Sequence, residues 1–312
     1  MRLEHEVSGL PAQLREAASC RFDRHPRTPA VGALQGMGRE GRVAVLTGLA
    51  YVLLWAGALA YAGHATHQTR GVGWAATAAT FIAWVLLAAE MIGRGVAAGH
   101  WPLTNRYEFS LCFVWAIVSV YLSLELHWKE RRAGAFVLLM ALLVATYAVI
   151  QPAAQRAPGP LLPVLRSAWL QAHVATAMLG YGAFGVAAGL GAMRLVGGAS
   201  GETEWLPAAR DIDRVREGVV GVGFVWLSLA ILTGAIWAQR AWGQYWGWDP
   251  KETWALVTWL WYLAVLHLRP LRAWRGRRLA ILVIVGFGLV LFTFIGVPWL
   301  VRTVRLESLH GD

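Results

Sequence analysis

The amino-acid sequence predicts an all-α fold: a polytopic membrane helix bundle of about eight transmembrane helices with an external tryptophan-rich loop. Three observations carry this expectation. Of 312 residues, 57% are hydrophobic and 15% are charged, respectively above and below the shares of soluble domains. The apolar residues gather in eight sustained runs, approaching the ~20 residues a helix needs to cross hydrocarbon. Seven of the 18 tryptophans lie between Trp237 and Trp261, a density that bulk composition does not explain. An ordinary soluble cytosolic enzyme is excluded.

The runs cover about residues 43–62, 74–92, 109–126, 133–150, 170–193, 218–238, 254–268 and 279–299. They are rich in Gly, Ala and Leu, which lets helix backbones approach closely in lipid. Residues 1–42 form a polar N-terminal tail of mixed charge, with no apolar stretch of the signal-peptide kind; residues 43–312 form the integral membrane domain. The formal charge of +10 points to loops held on the cytoplasmic side of a lipid bilayer, and no nucleic-acid partner is expected. Arginines 269, 272, 275, 277 and 278 give the strongest such signal and place 269–278 in the cytoplasm. Alternation then puts 239–253 outside, 194–217 inside, 151–169 outside and the Lys129, Arg131, Arg132 turn inside. The same parity puts the arginine-bearing tail outside, against the rule: either the tail is an exception or one span near the N-terminus is miscounted. Cys20 and Cys112 form no C-x-x-C pair and indicate neither a disulfide framework nor a thiolate metal site.

Chemistry concentrates in Trp242-Gly-Gln-Tyr245-Trp246-Gly-Trp248-Asp249-Pro250-Lys251-Glu252-Thr253-Trp254. An interfacial aromatic belt scatters its residues over many helix ends and does not need this punctuation. Gly243 and Gly247 permit tight folding, and Asp249-Pro250 suits a turn or the first turn of a helix. Indole faces on such a loop make a shelf for a large planar apolar ligand. Asp249 and Glu252 are open to a proton-accepting or a capping role.

This stretch resembles the W-G-x-x-W-x-W-D signature of the WWD haem-handling superfamily, in the form found in the CcsA/ResC-type branch (CcsB in some schemes) of System II cytochrome c biogenesis. Pro102-Leu-Thr-Asn105-Arg-Tyr107-Glu108 is similar to the P-L-x-N-x-Y-E stretch of that branch, and also reads as a helix start capped by Thr104 or Asn105. The resemblance covers about residues 43–310. It implies that haem b is bound as substrate, that Trp242, Tyr245, Trp246, Trp248, Asp249 and Trp254 form its platform, and that a CcsB/ResB-type membrane partner and an apocytochrome c with a C-x-x-C-H segment take part. It further implies a multi-pass protein of the bacterial cell membrane, with the loop on the external or periplasmic side.

Haem iron takes axial ligands, commonly neutral imidazole. His173 begins the fifth run on the outer side, and His310 follows the last run on the same side. The resemblance implies that such a pair holds external haem. His310 stands in Ser-Leu-His-Gly-Asp, where the family usually reads L-H-S-Y. His267 lies 13 residues after Trp254, about 20 Å along a helix; the resemblance implies that it ligates an inner haem with a second ligand from the partner. Arg240 and Lys251 bracket the loop and are placed either to meet haem propionates or to reach headgroups. Arg269, two residues after His267, is placed either to meet the propionates of the inner haem or to face the cytosol. His5 and His25 belong to the tail, while His64, His67, His100 and His127 sit at helix ends, with His64 and His67 as auxiliary candidates for the inner site.

No catalytic base stands out, so positioning is expected to dominate. The chain has no C-x-x-C-H of its own, so it is expected to be the synthase or haem chaperone, as the haem-presenting subunit of a cytochrome c synthase complex, and not a c-type cytochrome. Two alternatives remain open from sequence: a haem exporter without attachment activity, and a haem-modifying membrane enzyme of the haem A synthase type, against which the tryptophan loop argues.

Overall fold

The computed structural model describes residues 29–156, 166–197 and 205–304, with side chains from Val45 on apart from Ala153 and Ala154. His5, Cys20, His25 and His310 lie outside the described residues. Eight long helices follow one another: α1 Pro29–His67, α2 Arg70–Ala98, α3 Arg106–Trp128, α4 Gly134–Val149, α5 Ala168–Val196, α6 Ala209–Trp242, α7 Pro250–Leu268 and α8 Arg277–Leu291. A π-helical turn, Phe292–Gly296, carries α8 into α9, Val297–Val304. Every expected run is helical, and no strand occurs among the described residues. The chain divides into two compact units, Met1–Ala44 and Val45–Asp312, and the account below concerns the second.

Seven helical segments are long and apolar enough to cross a membrane, which makes this a multi-pass membrane protein. The segment missing from that set is α7. Its 19 residues span about 28 Å, but its aromatic side chains and first-turn Lys251 and Glu252 make it less apolar. Before α2 the described residues hold one candidate span, Val45–His67.

Helix α5 is the centre of the bundle. Of its most apolar stretch, 83% is buried, and it packs against α3, α4, α6 and α8. Small residues make this possible: a Cβ on Gly182 would lie 2.8 Å from the Ala116 carbonyl carbon, and one on Gly189 would lie 2.8 Å from Val137 Cα. Backbone against backbone leaves no room for a methyl group, the close packing that lipid-embedded helices use. Around this core α2 lies on α3, while α7 lies on α6 and α8.

Polar cross-links fix the outer helices, because a buried polar group without a partner is costly. At one end Glu125 Oε2 accepts from Tyr61 Oη at 2.6 Å, and its Oε1 accepts from Thr77 Oγ1 at 2.6 Å and Arg131 Nε at 3.1 Å. One carboxylate thereby joins α1, α2, α3 and the turn before α4. Tyr61→Phe removes one of its three donors; the expected loss is about 1–3 kcal/mol, checked by thermal unfolding of the purified protein in detergent.

The Pro102–Glu108 stretch serves the same purpose at the other end. Asn105 caps α3 by accepting from Glu108 N at 2.9 Å. Glu108 turns back to accept from Thr104 N and Oγ1, both at 2.8 Å, and from Arg94 Nε and Nη2 at 3.1 and 3.0 Å. Tyr107 Oη meets Thr47 Oγ1 at 2.7 Å, and Arg94 also donates to the Arg156 carbonyl. These bonds account for the stretch as a clasp between α1, α2, α3 and the chain after α4.

Candidate functional site at the tryptophan loop

The loop between α6 and α7 is shorter than the apolar runs suggest. α6 continues to Trp242 and stops at Gly243, whose φ of +78° gives a left-handed C-cap. α7 begins at Pro250 with a capping box: Asp249 Oδ1 accepts from Lys251 N at 2.8 Å, and Glu252 Oε2 accepts from Asp249 N at 3.3 Å. Arg240 and Trp242 therefore stand on the last turn of α6, and Lys251 to Trp254 stand on the first turns of α7. Asp249, 5% exposed, and Glu252 are capping residues in this geometry.

Glu252 does more than cap. Its Oε2 also accepts from Gly247 N at 2.9 Å, so one oxygen holds the amides on both sides of Trp248. Between them Trp248 adopts φ +57°, a left-handed conformation that disfavours a side chain by roughly 1–2 kcal/mol. The indole is thrust outward, 69% exposed, with Tyr245 beside it in the loop 61% exposed. Trp246 lies edge-on to Trp248, ring centroids 5.7 Å apart. The buried Trp246 Nε1 finds no acceptor among the described residues. Glu252→Ala is expected to cost about 0.5–2 kcal/mol and to free the loop; a lower thermal midpoint with faster proteolysis at residues 243–249 checks it.

His173, half-buried on α5, reaches the root of this loop. Its ring lies nearly parallel to that of Trp237, 13° apart in plane with centroids at 6.3 Å, and Trp237 meets Trp242 edge to face at 4.8 Å. His173 Nδ1 lies 2.8 Å from the Ala230 carbonyl oxygen. A carbonyl only accepts, so Nδ1 carries a proton, and Nε2 is the nitrogen that a neutral ring in this orientation offers to a metal. Gly234 allows this placement: a Cβ there would lie 2.7 Å from His173 Nδ1 and 2.9 Å from Cε1. On the next turn outward Arg240 sits over the Trp169 ring, 5.5 Å from its centroid.

Other expected site residues are not gathered here. Trp254 packs edge-on against Phe292 at 4.5 Å, which ties α7 to the π-turn. Trp259 Nε1 donates to Ser228 Oγ and Trp261 Nε1 to the Leu282 carbonyl, both at 2.8 Å; these two tryptophans hold α7 to α6 and α8. His267 is exposed near the far end of α7, its Nδ1 2.8 Å from the Leu263 carbonyl. At about 100° per residue it faces away from Thr258, Tyr262 and Val265, the buried side of that helix. His64 Nδ1 lies 3.0 Å from the Thr69 carbonyl at the turn joining α1 to α2.

Trp237, Trp169, Ala230 and Gly234 were not singled out as site residues from sequence. The spacing Trp169-x-x-x-His173 and the three residues from Gly234 to Trp237 each place two groups on one helix face, and were the available signals.

A multi-pass helical membrane protein with an imidazole set at the foot of an exposed tryptophan loop defines the class. Comparison then gives the family. Residues 103–305 match the cytochrome c assembly protein family model. A cytochrome c biogenesis protein CcsA of Synechococcus elongatus is 35% identical over 286 residues, covering 76% of this chain and 88% of the relative. CcsA proteins of Porphyra purpurea (32% identical; 71% of this chain, 83% of the relative) and Gloeobacter violaceus (31%; 72% and 84%) are similar. The chain belongs to the cytochrome c assembly protein family, which places its role in cytochrome c maturation.

Proposed function

We propose that this protein holds haem b at the tryptophan loop, with His173 and His310 as axial ligands, and presents it on the external face of a bacterial cell membrane to an apocytochrome c. The observation that carries the reading is the His173–Trp237–Trp242 array, which sets an imidazole, its Nδ1 held by the Ala230 carbonyl, at the foot of the tryptophan loop. The donor set fits haem: imidazole nitrogen for iron, flat apolar faces for the macrocycle, and, for propionates, the Trp246 N–H that has no acceptor among the described residues together with Arg240 and Lys251, which flank the loop in sequence. Attachment then adds each thiol of C-x-x-C-H across a haem vinyl group, with carbon–sulfur bond formation and transfer of the thiol hydrogen to the neighbouring carbon; no oxidant is consumed. The chain's own part is to orient the ring. A CcsB/ResB-type partner completes the synthase, and His267, on the outward side of α7, is the ligand this chain offers to an inner haem shared with it.

The test is an absorption spectrum of the complex purified from haem-replete cells, followed by incubation with a C-x-x-C-H peptide. A bis-histidine spectrum and thioether-linked haem on the peptide are expected. Haem binding without attachment would favour an exporter, and no haem at all would overturn the reading.

A further inference from the structure

Between α8 and α9 the helix changes its winding beside the start of α7. Val297 N donates to the Phe292 carbonyl, five residues back, which closes the π-helical turn Phe292–Gly296. Such a turn inserts one residue into an α-helix and occurs frequently at functional sites; at about 100° per residue, α9 leaves it out of phase with α8. The first three side chains of the turn take partners on α7, α3 and α4. Phe292 meets Trp254 of α7 edge to face, centroids 4.5 Å apart. Buried Thr293 lies 3.2 Å from buried Thr258 Oγ1 of α7, and both hydroxyls reach the Trp254 carbonyl, at 2.8 Å from Thr258 and 3.4 Å from Thr293. Phe294 meets Phe113 of α3 at 5.3 Å and Tyr147 of α4 at 6.5 Å. Phe292 holds its place because residue 296 is glycine: a Cβ there would lie 2.8 Å from Phe292 Cε2 and 3.0 Å from Cγ, inside van der Waals contact.

We propose that this π-turn positions the tryptophan loop, with Phe292, Thr293 and Gly296 as positioning residues for external haem attachment, an inference that rests on the proposed role of that loop in holding haem. The path is short. Trp254 stands two residues after Glu252 on the first turns of α7, and Glu252 Oε2 holds the Gly247 and Asp249 amides on both sides of Trp248. Anchoring Trp254 through its ring and its carbonyl therefore anchors the carboxylate that shapes the loop. Phe294 ties the same anchor to α3 and α4. The other end of the loop hangs from α6, where Trp237 and Trp242 stand beside His173. His173 itself is set from α5 and α6, by its bond to the Ala230 carbonyl. The π-turn thus governs the α7 side of the site and leaves the His173 side to α6. A shelf that must keep two vinyl groups within reach of two thiols needs both sides held.

The full chain and its Gly296→Ala and Phe292→Leu variants, purified in detergent, are compared by chymotryptic cleavage and thermal midpoint. The complex from haem-replete cells is compared by haem spectrum and by attachment to a C-x-x-C-H peptide. Gly296→Ala is expected to drive the Phe292 ring off Trp254, and Phe292→Leu to remove it. Both should be cut within residues 243–249 at least about fivefold faster than wild type and should form thioether at least about tenfold more slowly. The bis-histidine spectrum should persist, because His173 is held from α6. In the Glu252→Ala background, where the loop is already free, Gly296→Ala should add nothing to the cleavage rate, whereas a packing defect alone would add to it. Faster loop cleavage in the variants of a protein that neither binds nor attaches haem would support the π-turn as the loop's anchor and overturn the haem reading. Cleavage within 243–249 at the wild-type rate in both variants, or raised equally at every loop with a lowered midpoint, would overturn the proposal.

Discussion

Replacing His173 by alanine is expected to abolish external haem and cytochrome c attachment while any haem held through His267 persists. The loss should exceed the roughly 10–100-fold that removal of an outer partner of a metal-ligating histidine costs, because here the proposed ligand itself goes. The bundle should survive, since His173 is only half-buried and its ring bonds to a helix carbonyl that already serves the α6 ladder. Adding imidazole to the purified variant should restore part of the haem spectrum by filling the space beside Trp237. An external haem spectrum unchanged from wild type in the His173→Ala variant would show that His173 does not act as an iron ligand. Simultaneous loss of external and inner haem would argue against two sites.

The two proposed haem sites differ in how the protein builds them. At the loop, His173, Trp237, Trp242, Trp246, Trp248 and Arg240 stand on α5, α6 or the α6–α7 connection, and α5 is clamped through its glycines. That rigidity suits a site which must keep vinyl groups in reach of two thiols. His267 instead stands on the outward side of α7, where this chain supplies no second ligand among the residues placed beside it. That exposure is compatible with the proposed sharing of a ligand set with a membrane partner. Buried arginine and carboxylate clusters at both ends hold the helices between the two sites in register.

The sequence made the bundle legible because the bilayer imposes one requirement, an apolar run of sufficient length, and each run became a helix. The tryptophan loop was legible as a motif, but its boundaries were not. Apolar content stops near Trp237 and resumes at Trp254, whereas the backbone stays helical to Trp242 and restarts at Pro250, because caps at Gly243 and Asp249 set the ends independently of hydropathy. Glu252 read as a possible proton acceptor; its binding of the Gly247 and Asp249 amides depends on the left-handed turn at Trp248, which no residue pattern announces for a tryptophan. Trp254, Trp259 and Trp261 share the motif's composition but serve α7's packing on its neighbours. The contact between Gly234 and His173 joins residues 61 apart in the chain and exists only once α5 and α6 are packed.

That contact yields the second large effect. Gly234→Ala is expected to lower external haem affinity by about 10–100-fold with His173 still present. The added methyl carbon would sit 2.7 Å from Nδ1 and 2.9 Å from Cε1, inside van der Waals contact, so the ring must move. Movement breaks the bond to the Ala230 carbonyl that fixes the proton on Nδ1, and it separates the imidazole from Trp237. A general loosening of the α5–α6 interface would give the same loss for a different reason, and a double-mutant cycle separates the two. In the His173→Ala background the methyl group has nothing to strike. There Gly234→Ala should leave both thermal stability and imidazole-restored haem binding unchanged. Additive losses in the double variant would instead assign Gly234 to helix packing alone. Non-additive behaviour, with haem spectra altered in Gly234→Ala at an unchanged unfolding midpoint, would identify Gly234 as the residue that positions the proposed ligand.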